Sequence, residues 1–212
     1  MKKTLIMAIV LLFVASLTAE AGIVTFGLKG GLNYANVTVS PVLPDMPGFK
    51  TLQGLTGGVF LCLNFGPIGI QPEFLYARRG TKFDVPIDSD IYTAEYRLDY
   101  LEGILLLKWN VLPLGPVRPV IFAGPSYGSL SKATAVLFDP SGNQVESEDA
   151  KDLFKSSEFA AVFGGGVEFK LPFLKFCLEG RYHLGLSNIA ETGMEVDSIK
   201  NKGYSVMLGL TF

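Results

Sequence analysis

The sequence is short of the residues that most active sites are built from. It has one histidine, His183, two cysteines and one tryptophan in 212 residues. Metal centres need His, Cys or carboxylate ligands at characteristic spacing, and no pair of His or Cys here has it. No metal or other cofactor is expected. A phosphate-binding glycine loop opens a helix, whereas Gly164–Gly166 lies inside an alternating segment. Charge is also scarce. Charged residues make up 18% of the chain, against about 25% in soluble domains. The net charge is −2, which gives no basis for nucleic acid as a partner.

Long apolar helices are missing as well. The longest uncharged run beyond the first residues is Gln53–Pro72, but seven of its twenty residues are Gly or Pro. It reads as two strands around a turn. The one continuous apolar segment is at the start. Lys2 and Lys3 precede Leu5–Val14, and Ala19-Glu20-Ala21 fits a small-x-small cleavage site. This run is too short to span a bilayer, so residues 1–21 are expected to be a secretory signal peptide. Residues 22–212 remain as one domain.

What the sequence has in plenty is alternation with period two, the signature of strands. In "IVTFGLKGGLNYANV" Val24, Phe26, Leu28, Leu32 and Tyr34 share one face, and Thr25, Gly27, Lys29, Gly31 and Asn33 the other. Similar segments follow in "LTGGVFLCLNF", "IGIQPEFLYARRG", "YLEGILLLKW", "RPVIFAGPSYG", "FAAVFGGGVEFK", "FCLEGRYHLGLSNI" and "GYSVMLGLTF". That makes eight strands. Three connections are short: Gly66-Pro67, Asn110 to Val117, and Leu171-Pro172. Four are long and polar, at about 36–53, 80–92, 129–156 and 189–202.

An even strand count with short turns at one end and long loops at the other is the plan of an outer-membrane barrel. In hydrocarbon every backbone N–H and C=O needs a partner, so the sheet must close. The expected fold is all-β: an eight-stranded antiparallel up-and-down transmembrane β-barrel. The Leu, Val, Ile and Phe face would meet lipid. The Gly, Ser, Thr and charged face would fill a narrow lumen. Tyr76, Trp109, Tyr127 and Tyr204 fall near the expected strand ends, where aromatic girdles sit.

The segments "FGLKGGLNYANV", "IQPEFLYARRG", "YLEGILLLK", "RPVIFAGPSYG", "GGGVEF" and "LEGRYHLGLSNI", taken in order, resemble the PorT-like outer-membrane β-barrel family. The chain departs from it at Gly103, where the family often has Pro. The resemblance implies an outer-membrane location with both termini in the periplasm, and Phe212 as the aromatic end of the signal read by the barrel-assembly machinery. Some members assist secretion of other proteins.

Lys29, Glu73, Glu102, Glu179 and Arg181 fall on the inward face at roughly similar heights. Buried charges must be paired, so these are expected to form an ion-pair network that plugs the lumen, with His183 as a hydrogen-bonded neighbour. A small-solute or ion channel is the second reading. A lipid-modifying enzyme is the third, and spacing weakens it: Ser187 is four strand residues from His183, about 13 Å. Cys62 and Cys177 lie on non-adjacent strands and are expected to remain free thiols. The acidic stretch 139–152 is read as solvated, with divalent cations or a partner as alternatives. The expected partners are outer-membrane lipid and lipopolysaccharide, the barrel-assembly machinery, and a protein contacting the loops.

Overall fold

A membrane-facing sheet has to return its last strand to its first, and this chain does so. The computed structural model describes residues 24–41, 46–111, 116–170, 175–191 and 196–212. The expected leader 1–21, Leu171-Pro172 and residues 112–115 of the second short connection lie outside the described residues. The strands are β1 Val24–Ser40, β2 Lys50–Phe65, β3 Ile68–Ile87, β4 Asp90–Asn110, β5 Val117–Phe138, β6 Gln144–Asp149, β7 Ser157–Lys170, β8 Lys175–Gly185 and β9 Ser198–Thr211. Eight of them form an antiparallel ring in the order β4-β3-β2-β1-β9-β8-β7-β5, closed by β4–β5 pairing. The short β6 pairs with the end of β5 as a hairpin outside the ring.

At the seam β1 pairs with β9 from Gly27↔Thr211 to Ser40↔Ser198. Phe212 extends it: its N–H donates to Phe26 O at 2.8 Å, and the two rings lie 5.5 Å apart.

The alternation sorts outward from inward residues. Leu55, Val59, Phe74, Leu105, Leu107 and Leu208 are each at least half exposed. Together with their neighbours they make an apolar belt far larger than soluble monomers tolerate. Aromatic residues bound it. Phe26, Phe65, Trp109, Phe212 and the stacked Phe169–Phe176 pair mark the short-turn side. Tyr204 marks the other side, stacked at 5.0 Å on Tyr34 and in register with Tyr182. Eight residues separate Phe26 from Tyr34 on β1, about 27 Å of strand, or roughly 21 Å of height at a tilt of about 40°. That matches an outer-membrane hydrocarbon band.

The strands run on past the tyrosines, which corrects the expected boundaries. The supposed loop at 80–92 is the far part of β3 and β4, joined at Asp88-Ser89 with Asp88 at φ 54°. The supposed loop at 129–156 contains the rest of β5 and all of β6. The apolar-out pattern ends where lipid ends, but the hydrogen-bonded ladder continues into water. Gly80 of β3 has φ +123°, and a Cβ there would strike the Tyr96 carbonyl.

A closed barrel of this kind should migrate faster in gel electrophoresis before boiling than after, and identical mobility would contradict closure. At the hairpin tip, Asp139 accepts from the Asn143 N–H at 2.8 Å and from its Nδ2 at 3.2 Å. Those bonds, the backbone one foremost, hold the Asp139 carboxyl below its usual value of 3.8. The stabilisation is therefore complete above the unfolded value near 4 and disappears as pH falls through the lower folded value. Amide exchange at Ser141–Asn143 should accelerate across that acid window in the natural chain. In Asp139→Ala it should show no such step.

Candidate functional site

Parity places the polar residues of the ring inside, and the lumen that receives them is only just wide enough for side chains. Crowding is severe: a Cβ at Gly164 would run into the Gly180 carbonyl and lie 2.9 Å from the Phe122 ring. Four charged side chains from three strands meet at mid-height. Lys29 of β1 donates to Glu73 Oε1 of β3 at 2.8 Å and to Glu179 Oε2 of β8 at 3.0 Å. Arg181 of β8 clamps Glu73 with two bonds, at 2.6 and 2.9 Å. It also donates to Glu179 Oε2 at 2.5 Å. Gln71 adds a bond to Glu73 at 2.7 Å. The Lys29 ammonium sits 4.4 Å from the Phe60 centroid, and the Arg181 guanidinium 5.1 Å from that of Phe122. Two cations and two carboxylates alternate, and all four residues are buried.

Glu102 stands apart from this cluster, which corrects the expected single network. It accepts from Arg79 Nη2 at 2.6 Å and Nε at 2.9 Å. It belongs to a second cluster, nearer the long connections, with His183 and Glu158. His183 Nε2 is 3.3 Å from Glu158 Oε1, while Asn201 donates to Glu158 Oε2 at 3.0 Å. Arg79 shares the inward parity of Glu73 on β3, but parity does not identify it as the partner of Glu102, because strand stagger sets the heights. Glu158 was missed because it precedes the apolar alternation that begins at Phe159. Its position two residues before Ala160 was the available signal.

A third pair, Lys108 Nζ to Glu168 Oε1 at 2.7 Å, lies near the short turns. Cys62 and Cys177 are free and buried at that level, on the wall of a cavity of about 110 Å³.

Carboxylates of Glu102 and Glu158 and a His183 nitrogen lie within 4.8 Å of one another. Arg79 and Asn201 already occupy these carboxylates, so the set reads as a hydrogen-bonded cluster. Ser187 is committed elsewhere, its Oγ accepting from the Phe159 N–H at 2.8 Å.

Apolar side chains fill the remaining lumen. Leu75, Ile104, Leu106, Phe122, Val162 and Met207 form one apolar cluster beside the central charges. Above the second cluster, Leu98, Tyr100, Leu130 and Ala133 of the wall meet Ala150, Phe154 and Ile189. The last three come from long connections that fold inward. Between the two charge clusters, a space of about 20 Å³ lined by Glu102, Arg181 and His183 remains, room for about one water.

A family model described as an outer membrane protein beta-barrel domain matches residues 19–191, and the chain belongs to that family. A search of curated proteins found no match. Among solved structures, the chain is similar to the attachment invasion locus protein Ail of Yersinia pestis, at 14% identity over 89% of this chain and 99% of that one, with a TM-score of 0.43. It is also similar to Neisserial surface protein A, at 12% identity over 88% and 97%, TM-score 0.49. OprG of Pseudomonas aeruginosa gives 12% identity over 89% and 95%, TM-score 0.42. The protein is thus an outer-membrane β-barrel protein.

Truncating one member of the central cluster leaves a buried charge unpaired. Arg181→Ala should cost about 3–5 kcal/mol in urea unfolding from lipid vesicles. Glu179→Ala combined with Arg181→Ala should cost less than the sum of the two single changes, by about 1 kcal/mol or more. Strict additivity would show that the charges act independently.

Proposed function

We propose that this is a non-enzymatic, PorT-like outer-membrane barrel whose lumen is closed by its own side chains. It works through the long-connection end, as a structural or secretion-assembly component. The observation that carries this reading is the stacked closure. A four-charge cluster ties β1, β3 and β8 across the lumen, an apolar plug sits above it, and about 20 Å³ is left between the charge clusters. A hydrated ion does not fit there without breaking buried pairs. The plan of short turns opposite long connections supports placing both termini in the periplasm and the β3–β4 and β5–β6 hairpins outside the cell. Residues 1–21 would direct export and Phe212 would present the aromatic end to the barrel-assembly machinery. Lipid would cover the apolar belt, with lipopolysaccharide and a protein partner at the exposed hairpins.

The enzyme reading loses support because His183 is buried in the lumen against Glu158 while Ser187 bonds the backbone. The acidic residues of β6 are exposed, as in a solvated hairpin.

Reconstituted in planar bilayers in molar potassium chloride, the natural chain should give no steady single-channel steps. Reproducible open-channel steps would replace this reading with the ion-channel one.

A further inference from the structure

Above the apolar plug the barrel wall splits. β1 pairs with β2 only as far as Ala35↔Leu52, then continues along β9 to Ser40↔Ser198. Lys50 and Thr51 of β2 stay with β3. The Asn36 side chain bridges the split, donating to Phe49 O at 3.3 Å and accepting from Thr81 at 3.0 Å. Behind it lies a cavity of about 360 Å³. Val37, Val39, Phe49, Phe83 and Ile199 form its walls, and Leu98 and Phe154 of the plug form its floor. The cavity is therefore blind. The Thr81 hydroxyl on its wall is already engaged with Asn36 and Lys50.

Water in such a space finds few of the partners it needs. The volume lies at the lower end of small-molecule sites, enough for one hydrocarbon chain. Lys50, Lys82 and Lys200 alternate with wall residues and so face outward beside the split. Among the described residues, Lys50 alone of the three is ion-paired, with Asp84 at 2.5 Å. An apolar interior with a cationic exterior complements a ligand with one apolar tail and one anionic head.

We propose that this cavity binds the chain of a single-chain anionic amphiphile, a straight-chain carboxylate, with its head at the lysines. The proposal rests on the reading of this end as the working end above a closed lumen. Detergent would compete, so the test uses the full chain in lipid nanodiscs with radiolabelled carboxylates of eight to twelve carbons. Expected is saturable binding of one ligand per barrel, tightening roughly fourfold per added CH₂. Val39→Trp, which fills the cavity, should weaken it at least tenfold while boiling still changes gel mobility. Lys82→Gln with Lys200→Gln should weaken the carboxylate but not the alcohol of equal length. Where Val39→Trp fails to fold, Ile199→Trp and the chain-length series on the natural chain decide. Binding no greater than in empty nanodiscs overturns the proposal. So does binding that both tryptophan variants leave unchanged. Conductance of the same samples tests the closed lumen separately: a silent barrel that binds nothing defeats this proposal alone.

Discussion

Two cations and two carboxylates buried together in a narrow lumen impose the main constraint on this barrel. Lys29 and Arg181 each bond both Glu73 and Glu179. No member can be removed without stranding another in low dielectric, where an unpaired charge is very costly. The cluster therefore ties three strands across the ring and fixes their mutual heights. It also fixes register. A slip of one residue would turn an entire inward row to the outside. Arg or Lys at the hydrocarbon midplane costs about 2–4 kcal/mol, and the slip would also bury apolar side chains among charges.

The rest of the lumen is arranged around that point. Small residues let the strands approach, as at Gly164, where any side chain would meet the backbone of β8 and the Phe122 ring of β5. Apolar residues from β3, β4, β5, β7 and β9 pack beside the charges and fill the remaining lumen. The second cluster carries Glu158 and His183 toward the long connections, and Phe154 and Ile189 then close the top. The proposed function therefore lies at the end above the plug, where β1 and β2 part.

The ring was legible in the sequence because lipid outside and a narrow lumen inside impose one alternation on every strand. Faces could be assigned from that pattern alone, including the inward placement of Lys29, Glu73, Glu179, Arg181 and His183. Pairings were less legible. Glu102 bonds Arg79 rather than the central charges because stagger offsets neighbouring strands. Strand ends were hidden for another reason. Beyond the tyrosine girdle both faces tolerate polar residues, so β3, β4 and β5 extend through stretches with no lipid signature. The apolar plug was hidden because it joins wall residues to Phe154 and Ile189, whose segments carry no period-two signal that would place them inside the barrel.

The most direct test replaces all four central charges at once with methionine, a side chain of similar length that needs no partner. Buried ion pairs exchanged for well-packed apolar groups are often neutral or stabilising. The quadruple variant Lys29→Met, Glu73→Met, Glu179→Met, Arg181→Met should therefore fold and unfold in urea at a concentration equal to or above that of the natural chain. Each single methionine variant should unfold well below it. Four mild single variants, with a quadruple variant destabilised by their sum, would contradict a mutually dependent cluster.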